Sequence, residues 1–178
     1  MYGSSELNIK KLLLDTGILG QLCHPRKSHN KPVVDWVTKI VTQANGFQLC
    51  VPEIADYELR RKFIHLIKKQ QADEISLTRL NQLVKTIDYL SHHTKTSPFI
   101  NKLEYLPLNT RIMQKAAELW AESRFSGLPT ASPDALDGDV ILAAQALDVS
   151  GIVITYNRKH LSRFVETRGW EEIVIERA

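Results

Sequence analysis

At 178 residues the chain has the size of one domain and can bury roughly 70% of the surface its unfolded form exposes. Its 43% hydrophobic and 24% charged residues exclude a disordered or collagen-like chain, and no apolar run approaches the ~20 residues that cross a bilayer. Twenty-three Lys and Arg against twenty Asp and Glu leave +3, a basic excess compatible with nucleic acid but too small to establish it.

The start, Met1-Tyr2-Gly3-Ser4-Ser5, lacks the charged-then-apolar pattern of a signal peptide, so a cytoplasmic location with no membrane contact is expected. No repeat or Gly/Ser linker divides the sequence, which reads as a single domain over 1–178 with a core at about 10–165 and a flexible tail over 1–8. Leu12-Leu13-Leu14 is too short for a helix and fits a strand buried on both faces. Val33, Val34, Val37, Ile40 and Val41 recur at helical spacing over 33–43; Phe47 to Val51 then reads as a second strand, with Pro52 opening the next helix.

That helix, about 53–69, carries Ala55, Leu59, Phe63 and Leu66 on one stripe. Another, about 76–91, aligns Leu80, Leu83, Val84, Ile87 and Leu90, so the pair is expected as a hairpin. Lys102 to Leu106 reads as a strand, and Asn109 caps a helix running to about Arg124 and ending near Gly127. After a Pro/Ser/Thr loop at 128–133, the stretch from Val140 to Leu147 is apolar nearly all round, as in a central buried helix opened by Asp139. Ile152 to Thr155 is a further buried strand, and Ile173-Val174-Ile175 is expected to close an edge. Strands alternating with helices predict an α/β fold around a parallel sheet covered on both faces. Cys23 and Cys50, far apart and outside any C-x-x-C spacing, are expected as small buried apolar residues rather than zinc ligands or redox thiols.

Ligand crevices of open α/β sheets lie outside the carboxyl ends of the strands, and Asp15 and Asn157 follow two of the predicted strands there. Asp15 taken alone also suits a turn or an Asx cap. Asp139 leads an apolar helix face and is expected to point inward, unless it serves as a helix cap or first-turn carboxylate, a role for which Asp137 competes. Glu58 sits one step from the apolar stripe and either reaches the crevice or pairs with Lys62. Inward carboxylates without matching cations repel one another and are costly to desolvate unless a divalent cation sits among them; oxygen donors favour magnesium or manganese. Such an ion polarises a phosphoryl oxygen and acidifies a bound water, the machinery of phosphodiester hydrolysis. Arg60, Arg61, Lys62, Lys68 and Lys69 cluster around Glu58, and Arg158, Lys159, His160, Arg163 and Arg168 follow Asn157, so basic side chains flank both sets of acids.

Four segments, in order, resemble the PIN-domain nucleases, most closely the VapC-type toxins of bacterial toxin-antitoxin pairs. They are Leu13-Leu14-Asp15-Thr16-Gly17-Ile18-Leu19, Pro52-Glu53-Ile54 through Glu58-Leu59-Arg60, Asp139-Val140-Ile141-Leu142-Ala143-Ala144, and Thr155-Tyr156-Asn157-Arg158-Lys159-His160-Leu161. The resemblance implies a PIN-like three-layer fold with a projecting helical hairpin. It also implies a Mg2+- or Mn2+-dependent endoribonuclease, usually a homodimer, with RNA as substrate and a small antitoxin as partner. Carried over, Asp15 and Asp139 become the principal metal ligands, Glu58 ligates or orients the attacking water, and Asn157 takes the fourth acidic position, with Thr155 and Thr16 hydrogen-bonding the site. Arg60, Arg61, Arg158 and Lys159 are the expected substrate-binding residues. Asn157 stands where the family has Asp, and Asp137 or Asp134 is the alternative fourth acid; Gly17 replaces a common Asn. A catalytically inactive PIN-like module that binds nucleic acid or protein is the competing reading. The Asp15-Thr16-Gly17 tripeptide of aspartic proteases occurs once, amid helical patterns foreign to that fold, and a haloacid-dehalogenase phosphatase needs an Asp where Gly17 stands.

Overall fold

The computed structural model describes residues 9–43, 46–93, 102–127 and 133–175. The elements are β1 Lys10–Leu14, α1 Thr16–Leu22, α2 Lys27–Gln43, β2 Phe47–Pro52, α3 Glu53–Lys68, α4 Ile75–His93 and β3 Leu103–Leu106. They continue with α5 Thr110–Phe125, α6 Pro133–Asp148, β4 Ile152–Ile154, α7 Arg158–Leu161, β5 Thr167–Arg168 and a 3-10 turn at Trp170–Glu172. Five parallel strands form one sheet in the order β3-β2-β1-β4-β5. The expected α/β class holds, and helices flank the sheet on both faces.

β1 lies at the centre, and its side chains explain why it reads as a continuous apolar run. Leu12 and Leu14 pack on one face with Ile18, Val33, Trp36 and Ile40, while Leu13 packs on the other with Ile54, Leu142 and Ala146. Period-two alternation therefore feeds two apolar layers, and all three leucines are buried. Cys23 and Cys50 are buried free thiols, and burial pushes both thiol pKa values up to about 12, which removes them from thiolate chemistry.

α3 and α4 pack as the expected hairpin, with Ala55, Leu59, Leu80 and Ile87 meeting Leu19 and Cys23 at its base. Its far end exposes Ile64 and Ile75. Asn109 caps α5 by accepting from the Ile112 amide, and Gly127 follows at φ +60°, a backbone region that glycine enters without steric cost.

Five elements depart from the sequence reading. α1 and α7, of seven and four residues, are too short to show a period. α2 begins six residues before Val33 and contains Pro32; so close to the helix start, the ring forfeits a single internal hydrogen bond, and buried Asn30 tethers the turn by donating to the His24 carbonyl at 3.1 Å. The edge strand is Thr167–Arg168 rather than Ile173 to Ile175, because the chain turns at Gly169 into the 3-10 helix and delivers Ile173 into the core instead of onto the sheet edge. α6 starts at Pro133, so Asp139 lies in its second turn, not at its opening: Leu136 extends the apolar face of Val140 and Ala143 backward across Gly138. The tail 1–8 and the loop 128–132 lie outside the described residues.

One polar residue inside α6 fixes its place. Gln145 is buried; its Nε2 donates to the Leu106 carbonyl at 2.7 Å and its Oε1 accepts from the Ile54 amide at 3.4 Å, tying α6 to β3 and α3. Gln145→Leu strands both backbone groups and is expected to lower stability by about 1–3 kcal/mol, read as a fall in the urea midpoint with unchanged m-value.

Candidate active site

The strand order reverses between β1 and β4, which makes their carboxyl ends the topological switch point of the sheet. The Asp15 amide donates to the Ile154 carbonyl at 3.1 Å, so the ladder runs on to the first residue past β1. Asp15 is then the N-cap of α1, with Oδ1 accepting from the Thr16 amide at 2.6 Å. Its other oxygen, Oδ2, accepts from the Thr155 hydroxyl at 2.5 Å. Thr155 is the buried residue that follows β4, and its Oγ1 also accepts from the Asn157 amide at 2.9 Å. The cap reading and the site reading of Asp15 thus coexist in one side chain.

Glu58 reaches the same place from α3. It does not pair with Lys62; its Oε2 accepts from the Thr16 hydroxyl at 2.7 Å, so Thr16 links Asp15 through its amide to Glu58 through its side chain. α6 approaches closely enough that a Cβ on Gly138 would collide with the Glu58 carboxylate, and Asp139 follows directly. Gly138→Ala is expected to displace Glu58 and lower the activity proposed below by about a hundredfold with little loss of helix content, as measured by initial cleavage rates and circular dichroism.

Burial raises the Asp15 pKa, an effect opposed by the hydrogen bonds from Thr155 and Thr16. Asp139 is pushed up to about 6: burial is the main cause, His160 opposes it, the negative charges of Asp15 and Glu58 raise it further, and Arg163 opposes it weakly. Asp139 therefore lies in the field of both other carboxylates and of the basic residues His160 and Arg163 of the α7 region. α7 is attached to the site through the Asn157–Thr155–Asp15 chain of hydrogen bonds.

The remaining expected site residues are placed differently from one another. The Asn157 side chain is exposed at the rim and makes no cap bond to α7. Asp137 lines a groove with Met113, Ala116 and Trp120 of α5, and the Asp134 side chain lies outside the described residues. Arg60 is held by Asp56 at 2.8 Å and by Asn81; Arg61 lies over the Tyr57 ring; Arg158 pairs with Glu172 at 2.8 Å; Lys159 is exposed. Gly138 escaped the sequence reading because a glycine inside a helix has no side chain to carry a pattern. The pairing of the arginines escaped it because acids from other elements decide which cations stay free.

Among the described residues, no three His, Cys, Asp or Glu side chains form a ready-made metal cage. The donor chemistry nonetheless suits a hard divalent cation: carboxylate oxygens with raised affinity for positive charge, in one another's field, at a strand-end crevice.

The parallel sheet and its switch-point crevice define an open α/β protein. No protein-family model matches the sequence, and no curated protein matches it. Among solved structures, the chain is similar to VapBC2 from Rickettsia felis, crystallised with a DNA fragment from its promoter, at TM-score 0.58 and 16% identity over 90% of this chain and 98% of that one. It is also similar to FitAcB from Neisseria gonorrhoeae (TM-score 0.56, 17% identity, 91% and 99% of the chains). A third similar structure is DNA-bound VapBC from Salmonella typhimurium (TM-score 0.54, 18% identity, 91% and 99%). The fold is thus the one that the four sequence segments resemble.

Proposed function

We propose that the chain is a divalent-metal-dependent endoribonuclease that hydrolyses RNA phosphodiester bonds and acts as the toxin of a toxin-antitoxin pair. The observation that carries this reading is the convergence of Asp15, Glu58 and Asp139, from three separate elements, into one electrostatic field at the switch point. Asp15 and Asp139 would hold Mg2+ or Mn2+, with Glu58 and Asn157 as further oxygen ligands. When bound, the ion polarises a phosphoryl oxygen and generates a nucleophile from water. Thr155 fixes the orientation of Asp15, Thr16 fixes Glu58, and the basic residues His160 and Arg163 act electrostatically on Asp139. Arg158 and Arg60, each already paired with an acid, contribute less to RNA binding than Arg61 and Lys159. The likeness to VapBC and FitAcB structures supports an antitoxin as protein partner, and a homodimer and a cytoplasmic location complete the proposal. Among the described residues no helix is long and apolar enough to cross a membrane.

A second reading, an inactive PIN-like binding module, is favoured by the exposed amide of Asn157 at the fourth position. Both readings are tested by incubating the protein, freed of any bound partner, with structured RNA and Mg2+ or Mn2+ beside Asp15→Asn. Cleavage by the wild type alone supports the nuclease; equal cleavage by both removes the assigned site; RNA binding without cleavage selects the module.

A further inference from the structure

One aromatic residue at the rim of the crevice has no part in the chemistry above. Tyr156 follows Thr155 directly and is 56% exposed. Its ring is nonetheless held in place. Its Cδ2 lies 3.4 Å from where a Cβ on Gly17 would stand, so the first turn of α1 borders the ring. Its hydroxyl accepts from Trp170 Nε1 at 3.2 Å, and Trp170 in turn packs against buried Trp36 at 6.2 Å between ring centroids. Of the arginines that flank it, Arg158 pairs with Glu172 and Arg168 with Glu166, whereas Lys159 is exposed. Beside those basic side chains, this side of the rim offers an RNA chain a fixed, exposed π surface. A ring held before binding loses little side-chain freedom when a planar partner arrives, and a nucleobase stacks on such a surface whatever its identity.

Resting on the ribonuclease reading, we propose that Tyr156 is a stacking platform for an unpaired RNA base beside the scissile phosphate. The first turn of α1 borders the ring at Gly17, and Trp170 fixes its outer edge. Stacking of this kind changes affinity by roughly 5- to 150-fold per base.

The test uses the full chain in EDTA, where cleavage is suppressed, and fluorescence anisotropy with two labelled oligomers of equal length. One is single-stranded oligouridine and the other its abasic ribose-phosphate counterpart. The wild type is expected to bind the base-bearing oligomer about tenfold tighter. Tyr156→Phe keeps that preference, whereas Tyr156→Ala and Tyr156→Leu lose it while binding the abasic oligomer as the wild type does. The leucine variant retains apolar bulk without a π face, and circular dichroism melts identify any variant that fails to fold. Undiminished base preference in both the alanine and leucine variants overturns the proposal. If the wild type cleaves RNA with Mg2+ or Mn2+ while that preference is undiminished, stacking fails and the nuclease reading stands. If the preference is lost as expected but the wild type never cleaves, the nuclease reading fails and the stacking site stands. A wild type that binds neither oligomer overturns the stacking proposal outright.

Discussion

Asp139→Asn is expected to reduce metal-supported RNA cleavage by roughly a thousandfold or more while making the metal-free protein more stable at neutral pH. The first effect follows from losing a principal ligand of an ion whose charge stabilisation is worth several kcal/mol, at tenfold in rate per ~1.4 kcal/mol. The second follows from electrostatics without metal. Burial and the charges of Asp15 and Glu58 push Asp139 up to about 6, whereas an unfolded carboxyl titrates near ~3.9. A raised carboxylate pKa means the folded state holds its proton longer, so the ionised group opposes folding. Below about pH 4 the carboxyl is neutral in both states and variant and wild type should be equally stable. Between about 4 and 6 the gap opens in favour of the variant, and above 6 it is complete; solvent screening of the half-buried carboxyl keeps it below the about 3 kcal/mol that the full shift would give. Melts in EDTA at pH 4 and pH 7.5 measure it directly. A variant that is less stable than wild type at pH 7.5 contradicts the placement of Asp139 among the other acids. Added Mg2+ should reverse the order by stabilising the wild type alone.

Thr155→Val is expected to damage the site through its neighbours. The Thr155 hydroxyl donates to Asp15 Oδ2 and accepts from the Asn157 amide. Valine keeps the shape and removes both bonds, leaving a buried position with nothing to satisfy either group; a stability loss of about 1–3 kcal/mol follows. The Thr155 bond also opposes the burial that raises Asp15. Without it the Asp15 pKa rises further, protons compete longer with metal, and the rising limb of the cleavage-pH profile should move to higher pH. Cleavage at neutral pH is expected to fall about 10- to 100-fold. Thr155→Ser, which retains the hydroxyl, should keep the pH profile in place. A valine variant with an unshifted profile would show that the hydroxyl does not tune Asp15.

The readability of this chain varied with the distance over which each decision is made. Leu12-Leu13-Leu14 announced a two-face-buried strand because alternation places its leucines in two apolar layers. Asn109 and Gly127 announced the ends of α5 because caps and left-handed glycines act locally. The start of α6 did not show, because Gly138 interrupts the apolar face that Leu136 continues. The edge strand was misplaced because the run Ile173 to Ile175 has strand-like composition, whereas ladder pairing with Ile154 was decided by where Gly169 turns the chain.

By itself the sequence determined the α/β class, the order of most elements, and which acids were candidates for the strand-end crevice, since hydrophobic period and local capping act within a few residues of chain. Only the tertiary structure decided how these acids are joined. Thr16 reaches Glu58 across 42 positions and Thr155 reaches Asp15 across 140. It also decided which arginines are spent on structural acids, that Gly138 admits the Glu58 carboxylate, and that Tyr156 is fixed yet open to solvent. The physical reason is that side-chain partnership depends on which surfaces meet when helices pack on the sheet, and that information is spread over the whole core rather than written at either partner's position.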